Sequence, residues 1–481
     1  RVNPNLYQDS YVHIEHNYTI RDNFKKTSHY VAVFNAKNEN NQLYSRATEE
    51  SFVADMLTTK HIDLSSYTST DNIRLSFYFQ PGGLGDYLHE GEANKLLLQY
   101  KNDNGWEDIA EISMIDNNIT ISNILENTTT NYSYNEDFKR FSSAIDQSRF
   151  FHSDFQFRLI NYANINYLNR DPSMVGEQDH WLIDWLRVDT ERSEPDSIIN
   201  DVGFIEGNNP KNAIHDGILF NNYTGIPNNH WSDAASSEML DSIYITYRNF
   251  GDEYWNISRE FEINDIEGNN YLNFTGGTGD DLPPYTTETY PRIIDYTFSP
   301  SPNNRVYVLK SYLLTYILPS REPYRYNDTI RSYHYMKDGY RYDDGTVERG
   351  YILSEESGSN WKVRQDYYNY TTDQITGVNI FFVNNNSCSY TIRILDNNKS
   401  VILSEQKNKD SGSSGWKKVS ISNTSISANT TFSIVLRQST GSQINIGFDI
   451  DNNHDNLYYD KGGGWVQSNL KGTLMLRPLF E

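Results

Sequence analysis

A chain of 481 residues exceeds what one core organises, so two to four domains are expected. Its aromatic content is 14%, with 37 tyrosines, against a mean hydropathy of −0.71, which disfavours disorder and suggests many strands half-buried under tyrosine rings. A formal charge of −23 argues against nucleic acid as a partner and against adsorption to anionic membranes, since both carry the same sign.

Cys388 is the single cysteine, so an intramolecular disulfide is excluded, and its position between Ser387 and Ser389 reads as an ordinary small residue. No run approaches the roughly 18 apolar residues of a membrane span. The chain opens Arg1-Val2-Asn3, without Met, which suggests a mature or trimmed form that has lost its signal peptide.

Along the chain, period-2 alternation dominates and no long amphipathic helix is expected. Leu75, Phe77 and Phe79 alternate with Ser76, Tyr78 and Gln80; Leu96, Leu98 and Tyr100 repeat the pattern, as do Phe155, Phe157 and Leu159. Each predicts a strand with one face on a core. Residues 1–192 therefore read as a jelly-roll-like β-sandwich, closed by the strand Trp181–Val188. Within it, the Asn-, Thr- and Ser-rich stretch Asn117–Asn135 is expected to be a loop, and Phe138–Ile145 a short helical turn.

A linker-like composition at Ser193-Glu194-Pro195-Asp196 predicts a boundary. Residues 193–341 then offer strands at Asp201–Ile205, Ile243–Tyr247, Ser258–Ile263, Ile293–Phe298 and Val306–Leu314, the pattern of an immunoglobulin-like sandwich. Pro283-Pro284 cannot continue a central strand. Tyr342-Asp343-Asp344-Gly345-Thr346-Val347-Glu348-Arg349-Gly350-Tyr351 marks the next boundary, a glycine turn leading into a first strand. Residues 342–481 alternate most clearly at Ile444, Ile446, Phe448 and Ile450, and predict a second jelly-roll-like sandwich. The expected fold class is all-β, with three consecutive β-sandwich domains.

No catalytic set converges. G-x-S-x-G and H-E-x-x-H are absent, and the eleven histidines are scattered. Asp449, Asp451, Asn453 and Asp455 place oxygen side chains at every second position, as calcium loops do, but the loop lacks the EF-hand glycine and bidentate Glu, so a plain polar turn is the competing reading. Asp184 lies on the side of Leu182, Leu186 and Val188 and needs hydrogen bonds or a structural Ca²⁺; the plainer reading is that it accepts backbone N–H groups and locks the last strand. A sugar platform would need exposed aromatics, with Trp181, Trp185, Trp231, Trp255, Trp416 and Trp465 as candidates and core packing as the alternative for each.

Several phrases taken together carry a resemblance. RLSFYFQPGGLGD (residues 74–86), LLLQYKNDNGW (96–106), FQFRLINYA (155–163), DHWLIDWLRV (179–188), YDDGTVERGY (342–351), DQITGVNIFF (373–382) and GTLMLRP (472–478) are similar to large surface proteins of the Bacteroidota exported by the type IX secretion system, many of them linked to gliding motility. The resemblance implies secretion and a cell-surface location. It transfers no catalytic residue. The triplets at Ser197, Ser242 and Thr329, each preceded by Asp and followed by Ile, look like the O-glycosylation sites of that phylum, with chance occurrence as the alternative.

The expectation is therefore a secreted, acidic, non-enzymatic surface protein acting in adhesion, surface assembly or association with the secretion and gliding apparatus. Its expected partners are other surface or secretion-system proteins, glycans or further copies of itself, with no nucleic acid and no direct membrane insertion. A glycan-binding module or glycan-active enzyme, and a subunit of an extracellular filament or ring, are the alternatives.

Overall fold

The computed structural model describes residues 13–16, 30–37, 44, 47–48, 50–82, 94–134, 137–164, 180–193, 195–205, 217–277, 279–301, 303–315, 325–347, 349–352, 361–383, 387–412, 414–439, 444–450, 452 and 454–481. They form an all-β molecule of stacked antiparallel sheets, with one eight-residue helix among the described residues. Among them, no helix is long and apolar enough to cross a membrane.

The first sandwich pairs two sheets. One runs His13–His16, Tyr30–Phe34, Trp181–Asp189, Arg74–Pro81, Lys139–Ala144; the other runs Phe52–Thr58, Phe157–Ala163, Lys95–Asn102, Gly105–Ile115, Asn118–Asn123, Thr128–Ser133. Leu75, Phe77 and Phe79 meet Leu96, Leu98 and Tyr100 in a common core, as their alternation requires.

Two expectations in this block are corrected. Within the stretch Asn117–Asn135, expected as a loop, Asn118–Asn123 and Thr128–Ser133 form a hairpin of two strands. Asp116 and Asn117 both take left-handed φ (50° and 58°), the conformation of a two-residue hairpin turn, and Ile119 and Ile121 drop into the core. The stretch reads as a loop because its outer strand, Thr128–Ser133, is exposed at every residue and buries nothing. Lys139–Ala144 is likewise a strand paired with Arg74–Phe79, carrying Phe141 inward, rather than a helical turn.

The second pair combines a three-stranded sheet (Val202–Phe204, Ser242–Asn249, Thr287–Ile293) with a larger one ordered Gly225–Pro227, Thr329–Lys337, Arg305–Thr315, Trp255–Asp265, Asn270–Thr275. Gly225–Pro227 joins in parallel; every other pairing here is antiparallel. The strand expected at Ile293–Phe298 lies earlier, at Thr287–Ile293, and residues 294–298 are irregular. Phe298 is nonetheless buried, and its carbonyl accepts the Trp231 indole N–H (2.7 Å). Trp231–Glu238 is the helix, an element without a sequence expectation.

The third pair sets Arg349–Ile352, Asn445–Asp449, Asp373–Phe382 and Gly415–Ile426, with Thr473–Leu474 and Leu476–Phe480 added, against Val401–Lys409, Cys388–Leu395, Thr430–Gln438, Lys362–Asn369, Leu457–Asp460 and Val466–Gln467.

One apolar core runs unbroken from the second pair of sheets into the third, from Val202 to Phe480. Its spine is a column of rings: Tyr340 on Tyr223, Tyr223 on Tyr342 (both 4.7 Å), Tyr342 on Tyr367 (5.2 Å) and Tyr367 on Phe432 (5.4 Å). Glu238 and His230, buried beside it, are paired. Glu238 accepts from the Asn222 backbone and side chain (both 2.9 Å) and from the Tyr370 hydroxyl, and His230 bridges the Tyr340 hydroxyl and Asp373 (2.9 and 3.0 Å). Val31, Val33, Tyr78, Leu182 and Trp185, on the outside of the first sandwich, pack on Ile205 and Phe250 of the second and Ile450 of the third.

Asp343 and Arg477 close this seam. The fully buried Asp343 carboxylate accepts both Nε (3.0 Å) and Nη2 of Arg477, whose guanidinium also lies 3.8 Å from the Trp416 ring centre. Removing one partner strands the other as a buried charge, a cost of about 3–5 kcal/mol. Arg477→Ala and Asp343→Asn should each lower unfolding free energy by that order in urea denaturation. Arg477→Lys should recover little, since an ammonium cannot reproduce the forked contact.

Candidate functional site

A solvent-open groove of about 710 Å³ crosses the outer face of the larger second-pair sheet, lined in part by Glu262, Asn264, Asn270, Lys310, Arg331 and Tyr333. Strand register builds it. Asn273, Glu262, Lys310 and Arg331 stand side by side on four neighbouring strands, and Asn270, Asn264, Val308 and Tyr333 form a second such row two residues along. The residues between these rows, Ile263 and Leu309, point into the shared core. A register shift between Ile263 and Asn264 brings Asn270, rather than the next residue of an even ladder, opposite Asn264.

The polar groups are ordered in advance. Glu262 Oε2 accepts from Tyr312 Oη (2.8 Å), Asn264 Nδ2 (3.0 Å) and Lys310 Nζ (3.3 Å). Its other oxygen has no hydrogen-bond partner among the described residues. The Tyr312 bond, ahead of those from Asn264 and Lys310, holds the Glu262 carboxyl below the usual range, so it is anionic at neutral pH. Burial, then the bond to Glu262, pushes the Tyr312 hydroxyl up to about 12. Asn270 Nδ2 donates to Asn264 Oδ1 and Asn273 Oδ1 (both 2.8 Å), continuing an amide ladder across the floor.

The turn after Asn264 closes one end. Asp265 accepts from the backbone N–H of Glu267 (3.0 Å) and Asn269 (2.9 Å) and from Asn269 Nδ2 and Tyr271 Oη (both 2.8 Å), so its oxygens are spent within the turn. At the opposite edge, Arg331 is exposed and its guanidinium makes no ion pair or hydrogen bond with a described residue, and the Tyr333 ring beside it is 44% exposed. Donors, acceptors and one bare aromatic ring on a fixed floor suit a ligand rich in hydroxyls.

None of the groove residues was singled out by sequence reasoning. Strands were expected at Ser258–Ile263 and Val306–Leu314, but Thr329–Lys337, which supplies Arg331 and Tyr333, was not; the signal was there in Ile330, Ser332, His334 and Met336, all buried at alternate positions. Of the tryptophans considered for a platform, Trp181, Trp185, Trp231 and Trp255 are buried, Trp416 lies under Arg477, and Trp465 under Arg364 (4.9 Å).

The remaining candidates are dispersed. Asp449 is fully buried and accepts from the Asp344 N–H (2.9 Å), the Asn452 N–H (3.1 Å) and Asn452 Nδ2 (2.6 Å); Asp455 is exposed, and Asp451 and Asn453 lie outside the described residues. Asp184 Oδ1 accepts the N–H of Trp185 (2.7 Å), which takes φ 51° at a bulge. That bulge breaks the expected alternation, sending Leu182 to the outer face and Leu186 to the core. Asp86 and Asp179 fall outside the described residues. Among the described residues no three His, Cys, Asp or Glu side chains gather as a metal site would require. Ser197 is exposed in an irregular segment, whereas Ser242 and Thr329 are half-buried at the start of strands.

No known protein family and no curated protein matches the chain. Among solved structures it is similar to a Bacteroides uniformis β-glucuronidase, at 10% identity and TM-score 0.22 over 67% of this chain and 28% of that one. A GH2 β-galacturonidase from Eisenbergiella tayi bound to glycerol gives 9%, 0.21, 69% and 44% for the same quantities. The N-terminal CBM22-1–CBM22-2 tandem domain of Paenibacillus barcinonensis Xyn10C gives 8%, 0.15, 89% and 90%. The chain spans less than half the length of either glycosidase.

Two predictions follow from these environments. Because Asp449 is held by protein donors, Asp449→Ala should cost about 1–3 kcal/mol, measured as the same loss of thermal stability in calcium and in chelator; stabilisation by calcium in the parent but not the variant would put an ion there. His334, behind the groove floor, accepts the Leu219 N–H at Nε2 (2.8 Å), and burial drops its pKa from 6.5 to about 3. Between those values the unfolded chain binds a proton that the folded chain refuses, so stability falls with falling pH, by on the order of a few kcal/mol. His334→Gln should flatten that part of a denaturation-versus-pH curve without abolishing it, since burial lowers His180 to about 3 as well.

Proposed function

We propose that this is a secreted surface protein that binds a saccharide without transforming it, using the groove of the second sandwich as its ligand site. The observation that carries the reading is the pre-ordered floor: the Asn264–Asn270–Asn273 ladder, the free oxygen of Glu262 and the exposed ring of Tyr333. Sugar hydroxyls donate and accept at once, so a ladder offering both roles suits them, and a ring face packs on a tyrosine.

Binding without hydrolysis is supported by the carboxylates. Glycoside cleavage ordinarily uses two of them across the scissile bond. Asp265 spends both oxygens on its own turn, leaving Glu262 as the lining carboxylate with a free oxygen among the described residues. Secretion and a surface location are supported by the resemblance carried by the phrases from residue 74 to 478. In that setting glycan binding would serve adhesion, and association with other surface proteins would use the exposed faces of the outer sandwiches.

Calorimetric titration of the intact chain with a panel of soluble polysaccharides, run beside a reducing-sugar assay, tests this. Saturable binding without new reducing ends is expected, weakened at least tenfold by Tyr333→Ala. Turnover would overturn the reading, and so would binding that Tyr333→Ala leaves unchanged.

A further inference from the structure

We infer that the groove selects acidic saccharides, with Arg331 receiving the carboxylate of a uronic acid residue stacked on or beside Tyr333. The inference rests on the saccharide reading of the groove and specifies its ligand class.

Lys310 and Arg331 face each other on adjacent strands, but they are not equivalent. Lys310 is engaged by Glu262 at 3.3 Å, whereas Arg331 meets no carboxylate among the described residues and is exposed. Leaving a guanidinium without an ion-pair partner in a chain of net charge −23 is a local departure from the surrounding field. The adjacent strand, Arg305–Thr315, carries no acid; Glu260, Glu262 and Asp265 stand on the strand beyond it, where Asp265 is tied into its turn and faces Arg305 at 3.9 Å. Glu262 lies two strands from Arg331, a backbone separation of about 10 Å. At physiological salt the Debye length is about 8 Å, so the arginine dominates its own end of the groove despite the chain's overall charge.

Geometry then orders the ligand. Arg331 and Tyr333 are two residues apart on one strand and project from the same face, so a ring packed on Tyr333 puts its substituents within reach of the guanidinium. A planar fork of N–H donors matches a carboxylate in a bidentate contact, which a hydroxyl cannot supply. The width from Arg331 to the Glu262–Asn264–Asn270 side, about two to three strand spacings, accommodates two sugar rings. The acidic ring belongs at the arginine end, and its neighbour's hydroxyls meet the free oxygen of Glu262 and the amide ladder.

The test titrates the intact chain with short oligosaccharides of galacturonic, glucuronic and mannuronic acid, each beside its methyl ester, which keeps ring and hydroxyls but loses the charge. At least one acid should bind ten or more times tighter than its ester, with an affinity that falls as salt rises. Arg331→Gln should bring acid and ester to equal affinity, while Tyr333→Ala should weaken both by a similar factor. Both positions are exposed, and circular dichroism and the melting temperature report whether each variant keeps its fold. Equal binding of acid and ester by the parent chain would overturn the acidic preference while leaving the saccharide reading intact. Binding of neutral sugars alone would do the same. If none of the acids or esters binds, the inference fails, and whether any polysaccharide of the wider panel binds decides the saccharide reading separately.

Discussion

The buried pair of Asp343 and Arg477 is the constraint on which much of this molecule depends. A charge taken fully out of water is tolerated only when its partner is fixed in place, so the turn at Asp343-Asp344-Gly345 and the last long strand, Leu476–Phe480, must meet in one register. The turn is itself pinned twice more. Asp344 Oδ1 accepts the Thr346 N–H (2.8 Å) and hydroxyl (2.7 Å), and the Asp344 N–H reaches Asp449. Tyr342, one residue earlier, enters the aromatic column. Three consecutive residues, Tyr342, Asp343 and Asp344, thus tie the second pair of sheets to both sheets of the third.

That seam bears on function because of which face of which sheet it uses. Phe261, Ile263, Leu309 and Ile330 face inward, into the core that continues through the column to Phe480. Their neighbours one residue along, Glu262, Lys310 and Arg331, are left on the outside by the two-residue period of a strand. A sheet held rigidly from behind can present a fixed pattern of donors and acceptors in front, which limits the ordering cost a ligand must meet. On the proposed reading, specificity at the groove follows from strand register, and the shared core maintains that register.

How much of this was readable beforehand depends on what each feature needs. Strands with one apolar face announce themselves, as Leu75–Phe79, Leu96–Tyr100 and Ile444–Phe448 do. The hairpin of Asn118–Asn123 and Thr128–Ser133 reads as a loop in sequence because threonine and asparagine are common in both, and the outer strand buries no residue that would betray its period. The helix Trp231–Glu238 is short and small-residue-rich, and its amphipathic signal rests on Trp231, Ala234 and Glu238. The pairing of Asp343 is illegible in sequence, since Arg477 is 134 residues away. The groove was hidden for the same reason. Glu262, Lys310 and Arg331 are unremarkable surface residues in their own strands, and only the pairing of three strands distant in sequence makes them neighbours.

The most direct test of the account is amide hydrogen exchange on the intact chain, with and without a saturating acidic oligosaccharide. The account predicts slowed exchange confined to the Asp265–Asn270 turn and the part of the strand Thr329–Lys337 that carries Arg331 and Tyr333, with the seam around Asp343 and Arg477 slow in both states. Protection appearing on another face while the groove turn exchanges unchanged, or a seam that exchanges as fast as the exposed turns, would contradict it.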